Sequence, residues 1–153
     1  MNESIYDKAR AFKRKYPGTI AWRLKAHCKV LEKYINPGEN VLFVFAGQKN
    51  NTWHDIFNTC VVVLTTKRIL IGFKRVVFGY RFISITPDMF NDLTVVSRIF
   101  FGTVVIDTIK ETTYVSNVSK KALDPIETAI SEYMMKEKKK YAPRVKGSKD
   151  GSQ

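Results

Sequence analysis

Residues 59–85 read TCVVVLTTKRILIGFKRVVFGYRFISI, and their pattern decides the fold class. The run Thr59 to Thr65 is apolar on both faces and rich in β-branched side chains, which suit a buried strand. Thr66-Lys67-Arg68 predicts a tight turn into Ile69-Leu70-Ile71-Gly72-Phe73. Lys74-Arg75 and Val76-Val77-Phe78-Gly79 then lead to a further strand, residues 80–85. In that strand Tyr80, Phe82 and Ser84 point one way and Arg81, Ile83 and Ile85 the other. Three short strands joined by short turns make an antiparallel meander.

Working outward, the same signals recur. Upstream, Asn36-Pro37-Gly38 is a turn, and residues 41–46 (VLFVFA) form a β-rich run ended by Gly47. A polar loop, GQKNNTWHDIFN, separates it from residue 59. Downstream, Pro87-Asp88 breaks the ladder, and further strands are predicted over 93–99, 103–108 and 112–116. Seven short strands with regular turn signals argue for an antiparallel barrel or sandwich and against a parallel α/β sheet.

Helices flank this β region. Ile5, Ala9, Phe12 and Tyr16 share one face of a helix capped by Ser4 and stopped by Pro17-Gly18. A second helix is expected from a Thr19 cap through Ile20, Leu24, Cys28, Leu31 and Ile35. Near the C-terminus, Asp124-Pro125-Ile126-Glu127 places an acceptor at the N-cap, Pro at the first helical position and Glu at N3. A lead-in turn from Ser119 fits as well. Ile126, Ile130, Tyr133 and Met134 form the apolar face of that helix, opposite Glu132, Lys136 and Glu137. The expected organisation is a helical extension over 1–38, a β domain over 39–140 and a disordered tail over 141–153.

The order of these parts resembles the bacterial pleckstrin-homology-like (PH-like) domains, specifically the YokE-like group, over residues 35–139. The resemblance rests on the Pro37-Gly38-Glu39 turn before strand one, the Thr65-Thr66-Lys67-Arg68-Ile69 turn between strands two and three, the GYRFISI segment, the Phe101-Gly102 step and the terminal helix. It implies a seven-stranded bent antiparallel barrel or sandwich with one end closed by the C-terminal helix. It also implies binding or oligomer formation without catalysis. Phosphoinositide-binding PH domains use a cation ending strand one and a basic pair on strand two. Here Lys49 stands in the loop, but TCVVVLT offers no cation, so specific phosphoinositide binding is not expected.

Charge and chemistry narrow the function further. The chain has 153 residues, 26 Lys/Arg against 14 Asp/Glu and a net charge of +12. The excess is strongest at the two ends, where KRK (Lys13, Arg14, Lys15) and KEKKK (ending Lys138, Lys139, Lys140) lie beside Tyr16 and Tyr141. Such patches attract an anionic membrane surface, nucleic acid or an acidic protein. Lys74 and Arg75 beside Phe78 form a basic pair next to an apolar tip, and Trp53 is a candidate contact in the polar loop. Cys28 and Cys60 have no CxxC spacing, which predicts neither disulfide nor zinc site and suits a reducing cytoplasm. The polar N-terminus and the absence of a long apolar run predict neither a signal peptide nor a membrane span. His27-Cys28 and His54-Asp55 are adjacent pairs that do not converge on one point. With no catalytic motif, the expectation is a non-enzyme with no cofactor. Its expected partner is a protein or a second copy of itself; attachment to an anionic membrane and non-specific nucleic-acid binding are the alternatives.

Overall fold

The computed structural model describes residues 3–50, 56–75 and 78–150. Seven antiparallel strands run in chain order as β1 (Val41–Gln48), β2 (Thr59–Thr65), β3 (Ile69–Lys74), β4 (Tyr80–Ile85), β5 (Phe90–Ser97), β6 (Gly102–Thr108) and β7 (Thr112–Val118). Their spatial order is β4-β3-β2-β1-β7-β6-β5. The sheet is strongly bent and open. β4 and β5 are its unpaired edges, and β1 meets β7 at the single pair Gln48–Ser116. A closed barrel is therefore not formed.

Helix α1 (Ile5–Lys15) begins at Ser4, whose hydroxyl accepts from the Asp7 N–H at 3.1 Å, while the Asp7 carboxylate accepts from the Ser4 N–H at 3.3 Å. This reciprocal box satisfies two otherwise unpaired donors. Helix α2 is shorter than its periodicity suggests, covering only Leu24–Glu32. Residues 17–23 form a connector instead. Thr19 does not cap a helix: its hydroxyl accepts from the Ser119 N–H at 3.0 Å. The Ile20 N–H donates to the Asn117 carbonyl at 2.9 Å, and the Ile20 carbonyl accepts from Gln48 Nε2 at 2.9 Å. The sheet supplies the partners that a helical turn would have supplied, so tertiary contacts override local propensity. Arg23, at φ 54°, turns the chain into α2.

The sheet is covered on both faces. Inside the bend, Phe45, Cys60, Val62, Leu64, Ile69, Ile71 and Ile85 pack with Val104, Ile106 and Val115. On the outer face, Val44, Ala46, Val61, Val63 and Leu70 pack under Ile5, Ala9, Cys28 and Leu31 of the two N-terminal helices. This is why TCVVVLT is apolar on both sides: it is the middle layer of three. The fit is close at Gly72, where a Cβ would lie 2.6 Å from a Leu31 methyl.

A 3-10 turn (Lys120–Ala122) leads into α3 (Leu123–Asp150). Ile126, Ile130 and Met134 are fully buried in the inner core. Two hydrogen bonds fix the helix across one end of the bend: Tyr133 Oη donates to the Thr66 carbonyl at 2.8 Å, and Lys138 Nζ to the Phe90 carbonyl at 2.6 Å. The helix starts one residue before Asp124 and its backbone continues to Asp150, past the expected end at Lys140. Once nucleated, a helix gains one bond per added residue. Residues 151–153 of the expected tail lie outside the described residues. Among the described residues no helix is long and apolar enough to cross a membrane.

Candidate functional site

Three loops border one mouth of the bent sheet, the loop end. Gln48 and Thr59 are paired, and so are Lys74 and Tyr80, so the β1–β2 and β3–β4 loops leave the sheet together. The β6–β7 turn (109–111) faces them across the mouth, beside the C-terminal half of β4, with Glu111 near enough to act on the charge of Lys49. The Arg75 N–H closes the β3–β4 loop on the Gly79 carbonyl at 3.0 Å, with Gly79 at φ 76°, a conformation open to glycine at little cost.

Cations and apolar tips share this end. Lys49 Nζ lies 5.2 Å above the Phe73 ring, at the inner mouth of the bend. Burial lowers its pKa, and the nearby Arg81 guanidinium pushes the same way, against an opposing pull from Glu111. Lys74, Arg75, Arg81 and Lys110 are exposed around that mouth. Each loop also presents a large apolar side chain to solvent: Phe57 is 79% exposed, Phe78 83% and Ile109 66%. Between β4 and the β6–β7 turn lies a cleft of about 220 Å³ that includes Ile83, Met89, Lys110 and Glu111.

The structure brings together four of the residues singled out from the sequence: Lys49, Lys74, Arg75 and Phe78. Trp53 lies outside the described residues. The basic helix ends are elsewhere and partly engaged. Lys13 donates to the Pro17 and Thr19 carbonyls, Lys138 to Phe90, and Lys140 pairs with Glu137 at 2.8 Å. Arg14, Lys15 and Lys139 are exposed. Sequence reasoning missed Arg81, Lys110, Phe57 and Ile109. The signal for Ile109 was present, because a large aliphatic residue in a two- or three-residue turn has no core to enter.

Among the described residues Cys28, Cys60 and His27 are buried, and the His54-Asp55 pair lies outside them. Cys60 is fully buried and its pKa is pushed up to about 12 by desolvation. Cys28 is likewise raised to about 12 by burial, with Glu32 adding to the effect. His27 Nδ1 is occupied, accepting from the Lys74 N–H at 2.8 Å. Among the described residues no His, Cys, Asp and Glu side chains cluster in a way that could hold a metal ion.

A bent antiparallel sheet packed against a C-terminal helix, with cationic and apolar loops around its mouth, defines a PH-like fold. Residues 35–132 match the family model described as a bacterial PH domain, and the chain belongs to that family. No curated protein matches the chain.

Proposed function

We propose that this chain is a non-enzymatic binding module that attaches peripherally to an anionic membrane surface through its loop end. The observation that carries this reading is the coincidence of an exposed apolar tip on each of three loops with Lys49, Lys74, Arg75, Arg81 and Lys110 behind them. Apolar tips enter the interfacial region, and each basic residue near an anionic surface adds about 1 kcal/mol. Specific phosphoinositide recognition is not part of the proposal, since β2 carries no cation. The Pro37-Gly38-Glu39 and Thr65–Ile69 turns support placement in the YokE-like group within the family.

The test is sedimentation with phosphatidylcholine vesicles with and without phosphatidylserine, at low and high salt. The chain is expected to pellet only with the anionic vesicles, and Phe78→Ser combined with Arg75→Glu should leave it in the supernatant. Wild-type protein that ignores anionic vesicles at low salt would sink the reading.

A second reading, a protein partner or a second copy, is favoured by the two open edges, β4 and β5. An unpaired edge can accept a strand from another chain. Light scattering across a concentration series distinguishes a self-associating chain from a strict monomer. Non-specific nucleic-acid binding has less support on this geometry, because Lys13 and Lys138 at the basic helix ends donate to backbone carbonyls of the fold.

A further inference from the structure

Three segments far apart in sequence meet on one side of the loop end: residues 13–23, 98–103 and 117–122. The Ser119 N–H donates to Thr19 Oγ1, the Ile20 N–H donates to the Asn117 carbonyl, and Lys120 Nζ donates to the Ile99 carbonyl at 2.7 Å. None of the three segments contains an Asp or a Glu. Lys13 is engaged at the end of α1, and Lys120 is held on the Ile99 carbonyl; Arg14, Lys15, Arg23 and Lys121 are exposed. The first carboxylate after the third segment is Asp124, at the start of α3.

Large apolar side chains stand among these cations. Ile99 is 83% exposed, Phe100 72% and Trp22 54%. Ile99 and Phe100 form the tip of the β5–β6 hairpin. That tip is tied down twice, by the Arg98 N–H on the Phe101 carbonyl at 2.9 Å and by Lys120 on the Ile99 carbonyl. It is therefore a well-held apolar projection and not a frayed loop. Its position is also fixed relative to the loop end. Gly102 pairs with Val118, and Gly47 lies so close to Val115 and Val118 that a Cβ there would stand 2.7 and 2.9 Å from their methyl carbons. The hairpin thus leaves the sheet beside the base of the β1–β2 loop.

We propose that this seam is a second contact with an anionic lipid surface, in which Ile99 and Phe100 enter the bilayer interface. Trp22 lies at headgroup level, and the exposed cations meet lipid phosphates. The inference rests on the membrane reading above and extends it to a surface outside the three loops. Charge complementarity selects the occupant: exposed cations on segments that carry no carboxylate of their own fit an anionic surface, and the adjacent apolar tip fits one with a hydrocarbon interior. Two weak contacts on one rigid body also reinforce each other, because the second binds at the high effective concentration set by the first.

The experiment compares the full chain with two variants on phosphatidylserine-containing vesicles. Ile99→Ser with Phe100→Ser should weaken partitioning by at least about tenfold, from the lost apolar burial. Arg14→Glu with Lys121→Glu should weaken it similarly and flatten its salt dependence. All these side chains are exposed, so melting temperatures should match wild type. If wild type binds and both variants bind equally well, the seam is overturned while the loop-end reading stands. If wild type fails to bind, both readings fall. If the charge variant loses binding to a DNA oligonucleotide but keeps full vesicle binding, the seam serves nucleic acid and the lipid assignment is overturned.

Discussion

Glu39 Oε1 lies 3.0 Å from Arg68 Nε, a buried ion pair joining the turn before β1 to the turn between β2 and β3. The pair is fully furnished. Glu39 also accepts from Thr65 Oγ1 at 2.6 Å and the Asn36 N–H at 3.0 Å, while Arg68 donates to the Tyr34 carbonyl at 2.7 Å and Ser84 Oγ at 3.1 Å. It therefore ties α2, β1, β2 and β4 together. Removing one member strands the other charge, so Arg68→Ala should cost about 3–5 kcal/mol in denaturant unfolding. Glu39→Gln keeps an acceptor and should cost less. An Arg68→Ala protein as stable as wild type would show that the pair is dispensable.

The same carboxylate makes an acid limb in stability. Burial opposes its ionisation, but hydrogen bonds from Arg68, Thr65 and Asn36 outweigh that and hold its pKa below 4.5. The stabilisation is whole above pH 4.5 and is lost as the pH falls through the lower folded value. Glu39→Gln should therefore show a shallower loss of stability than wild type below pH 4.5 in urea titrations.

Ile130 is fully buried on the core face of α3. Ile130→Asp would place a carboxylate among Ile126, Met134 and the inner sheet, with water excluded. The penalty is comparable to the total stability of a domain, about 5–15 kcal/mol, so the variant should be unfolded by circular dichroism at 25 °C. A cooperative melt close to that of wild type would refute the burial of this face.

Much of this was legible in the sequence, and the exceptions have physical causes. The strands could be read because β1, β2 and β3 alternate or saturate with β-branched residues. The C-terminal helix could be read because Pro125 suits a first helical turn, but the 3-10 turn over Lys120–Ala122 starts it at Leu123, so Asp124 lies inside the helix and is not its cap. The connector 17–23 was misread because apolar period alone does not reveal that Gln48, Asn117 and Ser119 would take its backbone groups. The doubly apolar β2 was the one sign that the helix pair docks on the sheet, yet a saturated strand does not say what covers its second face. The cationic loop end was only half visible: Lys74, Arg75 and Phe78 are neighbours in sequence, but Arg81, Lys110 and Phe57 join them only through strand register.

His27 supplies a separate pH dependence. Its pKa is lowered from 6.5 to about 4, first by burial and then by the Arg23 guanidinium, with a backbone bond to Trp22 opposing. Because Nδ1 accepts from the Lys74 N–H, protonation there requires breaking the link between α2 and β3. The unfolded chain takes up the proton first, so the stability contributed by neutral His27 is whole above pH 6.5. It drains as the pH falls towards 4, with a slope of at most about 1.4 kcal/mol per pH unit. His27→Gln retains an acceptor and should flatten unfolding free energy between pH 6.5 and 4.5, a window above the Glu39 limb. An unchanged slope in that window would place the titrating group elsewhere.

The matched family region begins at residue 35, but the structure makes α1 and α2 part of the fold. Without residues 1–34, Val44, Val61, Val63 and Leu70 would face water as a continuous apolar patch on the outer sheet. At roughly 25 cal/mol per Å², exposing those side chains and losing the contacts of Ile5, Cys28 and Leu31 removes several kcal/mol, a large part of a domain's margin. The cut also removes Tyr34, and with it the carbonyl that accepts from Arg68. A chain starting at residue 35 should therefore be insoluble or bind a hydrophobic dye strongly, while the full chain does neither. If the truncated chain is monomeric and melts cooperatively near the wild-type temperature, the helices are an accessory layer and the outer face is stable without them.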